Sequence, residues 1–176
     1  MSFLFRPCRF EMDYEAYARF LLEYHASLNL PYPFAMKLAF MCSPLQLGRT
    51  MLILDEGSYA YIGAAGCVYG TGEHDYEDRH RCQIEVAFLL EAYRSTGLFA
   101  RAMAAFLEQI QTDNPAVETI QFWASPEHAE LRKLVSRWRS LPGFKETAVG
   151  DRMFYTIPFI ELLAYAEQRT KNPRPS

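Results

Sequence analysis

One acidic residue lies inside the most apolar strand that the sequence predicts. Apolar residues recur at every second position and also fill the positions between, which predicts a strand buried on both faces: Ile84, Val86, Ala87, Phe88, Leu89 and Leu90. Glu85 is the polar exception. Burial would raise its pKa, so that it could accept a proton directly or through water. The alternatives are a Glu85 that points to solvent or that pairs with an arginine.

A short polar turn after this strand leads into an amphipathic helix. The turn covers residues 93–97, and the apolar residues that follow it lie four apart: Leu98, Ala102, Phe106 and Ile110. The first turn of a helix directs unpaired N–H groups and the positive end of the helix dipole at the preceding turn, an arrangement that suits a phosphate. The alternative is an ordinary strand-turn-helix in which Gly97 only serves the turn.

The turn carries a recognisable pattern. Arg94-Ser95-Thr96-Gly97-Leu98-Phe99 resembles the Arg/Gln-x-x-Gly-x-Gly/Ala pyrophosphate loop of the GCN5-related N-acetyltransferases (GNAT), and the strand before it resembles the one that holds the pantetheine arm in that family. The resemblance implies an α/β fold, with a central mixed sheet and helices on both faces. It also implies acetyl-CoA as co-substrate, no metal, and an amine of a small molecule or peptide as acceptor.

By the same resemblance, coenzyme A would be held by strand, loop and post-strand residues: Phe88, Leu89, Leu90, Arg94, Ser95, Thr96, Gly97, Leu98, Phe99 and Ser125. The family has a small residue where this chain has Phe99. The ring of Phe99 must therefore turn into the core beside Met103 or crowd the ligand, and helical spacing favours the core. Tyr32 and Phe34 are implied to line the acceptor site.

Acyl transfer to an amine needs a base, a donor for the thioester carbonyl and a proton for the leaving thiolate. We assign the base to Glu85, with His128 second because a helix-capping role suits it better. Backbone N–H groups around Phe88 can serve the carbonyl. Tyr155 is named as general acid without a motif to support it. The rival hypothesis is a degenerate member that binds coenzyme A, or nothing, as a sensor or interaction module.

Composition limits the remaining classes. The chain has 176 residues, half of them hydrophobic, which predicts a single domain over 1–176, with a core over about 3–157 and a terminal helix and tail over 158–176. A formal charge of −3 argues against a nucleic-acid partner. No apolar run reaches the roughly 18 residues of a membrane span, and no signal-like segment opens the chain, so we expect a cytoplasmic protein, which could form a homodimer.

Metal binding is not expected. The histidines and acids of segment 70–81, GTGEHDYEDRHR, match no closed metal site, and the segment is as polar as a solvated hairpin loop. The four cysteines are widely spaced, which predicts buried reduced thiols: Cys8, Cys42, Cys67 and Cys82.

The periodicities place the remaining elements. Strands are predicted at 3–6, 50–55, 59–69, 84–90, 117–124, 144–148 and 152–157, and the strand at 117–124 should run parallel to the one at 84–90 because a helix connects them. Helices are predicted after Asp13, at 34–41, from Leu98, from Ser125 and from Pro158. The small residues 63–66 predict a bulge or a close approach of backbone or ligand.

Overall fold

A computed structural model describes residues 1–28, 30–94 and 97–171. Within these ranges the chain forms seven strands and five α-helices in the predicted order, which is confirmed: β1 (Phe3–Pro7), α1 (Glu11–Glu23), α2 (Phe34–Leu47), β2 (Gly48–Asp55), β3 (Ala60–Tyr69), β4 (Arg81–Leu89), α3 (Leu98–Asp113), β5 (Thr119–Ala124), α4 (Ala129–Trp138), β6 (Lys145–Val149), β7 (Arg152–Pro158) and α5 (Phe159–Lys171).

The strands form one mixed sheet in the order β1-β2-β3-β4-β5-β7-β6. Only the central pair, β4 and β5, is parallel, as predicted, and the described neighbours on either side pair antiparallel. A helix, α3, connects the two central strands, which is the connection that a parallel pair requires.

Helices cover both faces of the sheet, as predicted. On one face α1 and α2 bury Tyr17, Leu21 and Met41 against Leu52 and Val86. On the other face α3, α4 and α5 pack a larger core, which includes Leu98, Ile110, Val135, Trp138 and Leu162. The helical spacing of α3 is confirmed, because its four residues at intervals of four are all buried.

The predicted starts of two helices were wrong. α1 begins at Glu11, and Asp13 lies in its first turn, where its carboxylate accepts hydrogen bonds from the backbone N–H groups of Arg9 and Phe10 at 3.0 and 3.1 Å. α4 begins at Ala129 rather than after Ser125, because the ring of His128 caps it, with Nδ1 accepting from the Leu131 N–H at 3.1 Å. A side chain can satisfy the first amides of a helix from either position.

The small residues of β3 mark the predicted close approach. A Cβ on Gly66 would overlap the Tyr17 hydroxyl and lie 3.0 Å from Cγ of Pro44, and a Cβ on Gly63 would lie 2.7 Å from the carbonyl oxygen of Phe88. Glycine at these positions lets α1, α2 and β4 pack directly against the β3 backbone.

The four cysteines are free thiols; three are buried, but Cys42 is exposed on α2, contrary to the prediction. Across the described ranges, no three His, Cys, Asp or Glu side chains are grouped as metal ligands would be. No helix in the described part of the chain is long and apolar enough to cross a membrane.

Candidate active site

A gap opens between the two central strands. β4 and β5 pair over only three residues each, 81–83 with 119–121. Beyond this point β4 stays with β3 as far as Leu89, while β5 stays with β7 as far as Ala124. Ala87 is exposed at this level of β4, which corrects the prediction of a strand buried on both faces. The gap therefore offers room beside β4.

Glu85 lies on a β-bulge at the start of this gap. Gly66 of β3 pairs with Val86 and the next residue, Cys67, pairs with Ile84, so Glu85 is the extra residue of β4. A bulge redirects a side chain and bends the strand locally. The bulge thus sets the direction of Glu85 at the point where β4 and β5 separate.

Amide side chains hold the carboxyl of Glu85. Gln83 Nε2 donates to Glu85 Oε1 at 2.6 Å, and buried Gln121 Nε2 donates to Gln83 Oε1 at 3.0 Å. None of the ion pairs among the described residues includes Glu85. Burial raises the pKa of Glu85 from 4.5 to about 7, and the hydrogen bond from Gln83 offsets part of this rise. Neither alternative for Glu85, a side chain that points to solvent or one that pairs with an arginine, describes this carboxyl.

Glu85 lines a small cavity with aromatic walls. The cavity has a volume of about 20 Å³, room for about one water molecule, and its walls include Tyr32, Phe40, Trp123 and Arg152. The rings of Tyr32 and Phe40 stack at 4.9 Å. Tyr32, which the family resemblance implied as a lining residue of the acceptor site, lines this cavity.

Phe34 does not line this cavity. Its side chain is half exposed and contacts the ring of His25. Phe40 lines the cavity instead. It lies six residues further along α2, on the side of the helix that faces Tyr32.

Arg152 is the positive group of the cavity. Its guanidinium lies 4.0 Å from the centre of the Tyr32 ring, and Nη1 donates to the Tyr32 hydroxyl at 2.6 Å. Burial raises the pKa of Tyr32, and the charge of Arg152 opposes this rise. The two residues together close one side of the cavity.

The helix α3, which begins at Leu98, follows β4 along the chain. Gly97 precedes it in the left-handed conformation, with φ of 71°, and a Cβ at this position would meet no atom within 4 Å. Leu98 is fully buried, and Phe99 is partly buried against the main core. The ring of Phe99 thus packs into the core, although it is not fully enclosed. Ser95 and Thr96 lie outside the described residues.

Arg94 is held near the gap by two partners. Its Nε donates to the carbonyl oxygen of Leu89 at 2.9 Å, and its Nη1 lies 3.4 Å from a carboxylate oxygen of Glu130 on α4. The guanidinium also lies 5.7 Å from the centre of the Phe88 ring. The positive charge is therefore fixed between the end of β4 and α4.

The backbone of β4 directs two of the amides around Phe88 into the gap. The Leu90 N–H donates to the carbonyl oxygen of Ile62 at 2.8 Å. Because direction alternates along an antiparallel ladder, the Phe88 amide also faces β3, whereas those of Ala87 and Leu89 face the gap. Among the amides around Phe88, those of Ala87 and Leu89 are therefore the candidates for the carbonyl donor.

Three predicted site residues lie away from the Glu85 cavity. Ser125 forms a turn before α4, with Oγ accepting from the Glu127 N–H at 3.4 Å, and His128 caps the helix. Tyr155 is buried and stacks on Phe122 at 5.0 Å, and burial raises its pKa. Sequence reasoning missed Phe40, Trp123 and Arg152, because no spacing connects residues that meet only in the folded chain. It also missed Gln83, although Gln83 lies two residues before Glu85 on the same strand.

Comparison with known proteins identifies the fold. No protein-family model and no curated protein matches the sequence. The structure is similar to that of a GNAT-family acetyltransferase from Staphylococcus aureus Mu50, with a TM-score of 0.65 and 14% identity over 90% of this chain and 99% of that one. It is also similar to Ard1 from Thermoplasma volcanium, with a TM-score of 0.61 and 17% identity over 90% and 98% of the two chains.

A third similar structure is a chain of the NatC complex bound to Gag peptide and CoA, with a TM-score of 0.62 and 16% identity over 90% of this chain and 99% of that one. These likenesses agree with the seven-stranded mixed sheet. The chain has the fold of the GCN5-related N-acetyltransferase superfamily.

Proposed function

We propose that this chain transfers an acetyl group from acetyl-CoA to a primary amine. The observation that carries the proposal is the position of Glu85, on the bulge of β4 and in the wall of a cavity beside the gap. Its pKa of about 7 suits a general base that works near neutral pH. An ammonium acceptor must lose a proton before its nitrogen can attack.

Several features fit acetyl-CoA as the donor. The gap between β4 and β5 gives room for an extended arm, and the N-terminus of α3 offers amides to a pyrophosphate across the open space at Gly97. Arg94 supplies a positive charge between them. The similar chain of the NatC complex is one from a structure that contains CoA, which supports the same donor here.

The proposed reaction is a direct transfer. Glu85 accepts a proton from the ammonium group, directly or through water. The amine nitrogen then bonds to the thioester carbonyl carbon and loses its second proton as the carbon–sulfur bond breaks, and the sulfur leaves with the bonding electrons and takes up a proton, so that one proton passes in net from nitrogen to sulfur. The amides of Ala87 and Leu89 would stabilise the negative carbonyl oxygen. The hydroxyl of Tyr32 replaces Tyr155 as the candidate proton donor, because it lies in the cavity wall.

A groove beside the cavity could hold the rest of the acceptor. Its volume is about 350 Å³, and it is lined by residues of β4, β5, β6 and β7, among them Gln121 and Phe154. Gln121 and Trp123 point to the same face of β5, since they are two residues apart. The groove therefore lies on the face of the sheet that carries Glu85.

The alternative function is a coenzyme-A-binding sensor or interaction module without catalysis. The contact between Arg94 and Glu130 favours this alternative. The Glu130 carboxylate already neutralises part of the positive charge of Arg94 that would otherwise bind a phosphate.

Two measurements test the proposal. A thermal-shift assay with acetyl-CoA should show stabilisation, since a ligand at a hundred times its dissociation constant adds about 2.7 kcal/mol to the free energy of unfolding. Thiol release with a panel of amines should then show acetyl transfer. Stabilisation without thiol release supports the sensor. If millimolar acetyl-CoA leaves the melting temperature unchanged, both coenzyme-binding functions are excluded.

A further inference from the structure

The guanidinium of Arg152 has a buried donor without a hydrogen-bond partner. Its Nε is inaccessible to solvent and makes no hydrogen bond within the described structure. The nearest acid, Asp151, places Oδ1 3.8 Å away, too far for a hydrogen bond, and its side chain is 93% exposed. A buried N–H group without a partner costs stability, more so when the group is charged. Such a group is explained when a ligand supplies the missing acceptor.

Arg152 and Glu85 share the cavity but do not pair with each other. Both side chains line the same small cavity, which is open to solvent, so that the rest of a larger molecule can lie outside it. Arg152 is turned onto the Tyr32 ring, and Glu85 is held from the other side by Gln83. The cavity thus presents a cation and a carboxyl separately to whatever enters it. Opposite charges kept apart in this way are complementary to a molecule that carries both signs.

We infer that the acceptor carries a carboxylate beside its amine, as a free amino acid does, and that Arg152 binds this carboxylate. The inference rests on the proposed acetyl transfer, in which Glu85 receives the amine. A guanidinium binds a carboxylate with two parallel hydrogen bonds, for which Nε and a terminal nitrogen are suited. The amine at the start of a peptide has a neutral amide in place of the carboxylate, which offers one oxygen and no charge and so cannot make the two parallel charge-assisted hydrogen bonds.

The first experiment compares acceptors that differ only in this group. Acetyl-CoA-dependent thiol release is measured for a panel of free amino acids, for the corresponding amino-acid amides and for the decarboxylated amines. We expect kcat/KM for the preferred amino acid to exceed that of its amide and its amine roughly ten- to a hundredfold, the worth of one charge-assisted contact. Equal or better turnover of the amides would overturn the inference and favour a peptide acceptor.

The second experiment changes Arg152. Arg152→Gln should raise KM for the amino acid roughly tenfold or more and raise KM for the amide several times less, whereas any effect that passes through Tyr32 should lower kcat equally for both. Arg152→Lys keeps the charge without the planar fork and should be intermediate, which also covers the case in which Arg152→Gln does not fold. Arg137→Gln, on the exposed side of α4, is the control for loss of a positive charge. Equal losses with amino acid and amide would show a purely structural Arg152.

Failure of the proposed transfer is distinguishable from failure of this inference. If no amine releases thiol, thermal shifts with amino acids and with their amides still measure the preference for a carboxylate. Stabilisation by the amino acids, lost in Arg152→Gln, supports Arg152 as the carboxylate anchor even then. Equal shifts with both compounds, or none with either, reject it.

Discussion

Replacing Glu85 by glutamine should make the protein more stable and less active at once. The pKa of Glu85 in the folded chain is about 7, against an ordinary value of 4.5. Between these pH values the folded chain holds a proton that the unfolded chain has lost, so stability falls as pH rises from about 4.5 to about 7. The two values differ by about 2.5, which at 1.36 kcal/mol for each pH unit gives about 3 kcal/mol. Glu85→Gln cannot ionise and escapes this loss.

The assay is urea unfolding of both proteins at pH 4.5, 7 and 9, together with thiol release across the same range. Glu85→Gln should match the wild type near pH 4.5 and exceed it by up to about 3 kcal/mol at pH 9. In the wild type kcat/KM should fall below pH 7 as Glu85 gains its proton, and Glu85→Gln should be roughly a hundredfold slower or more at neutral pH with nearly unchanged affinity for acetyl-CoA.

Exposed Glu108, on α3, provides the control. Glu108→Gln should change neither the pH dependence of stability nor turnover. The reasoning on burial is refuted if Glu85→Gln is less stable than the wild type at pH 9. Unaltered turnover of Glu85→Gln would refute its role as the base even if the stability result holds.

Three further substitutions test the packing and the anion site. Phe99→Ala should cost about 1 to 3 kcal/mol in urea unfolding, below the loss for a fully buried ring, with little gain in acetyl-CoA affinity. Gly66→Ala should cost about 1 to 3 kcal/mol because the new methyl group overlaps the Tyr17 hydroxyl, which a melting curve would detect. Arg94→Gln should weaken acetyl-CoA binding roughly tenfold or more, measured by calorimetry, through loss of a charge-assisted contact.

Each of these substitutions has a matched control. Leu98→Ala removes a fully buried side chain beside Phe99 and should cost more. Gly57→Ala should be nearly neutral, since its Cβ meets only Asp55 Oδ1 at 3.4 Å. Arg132→Gln, on the exposed side of α4, should leave acetyl-CoA binding unchanged. Tighter acetyl-CoA binding in Phe99→Ala with an unaltered melting temperature would mean that the ring obstructs the phosphate site.

Local pattern was enough to predict most of the framework. The alternation along β4 and the four-residue spacing along α3 are properties of neighbouring residues, because side-chain direction follows the period of the element. The same logic placed Glu85 inside an apolar strand but left its burial open, and the structure half-buries it. The ends of the elements were less well predicted. Ser125 and His128 lie within four residues of each other and both can cap a helix, and α4 starts at Ala129 because His128 caps it.

The site itself depends on contacts that no local pattern contains. Tyr32 and Arg152 are 120 positions apart and meet only in the folded chain, where the segment before α2 lies against the start of β7. The bulge at Glu85 is equally invisible in the sequence, since one extra residue in a strand leaves its apolar character unchanged and is defined only by the pairing of Gly66 and Cys67 with β4. The sequence thus determined which segments are strands and helices and which acid lies inside an apolar strand. Tertiary structure decided which way that acid points and which cation shares its cavity, because strand order and register are set by pairing between distant segments.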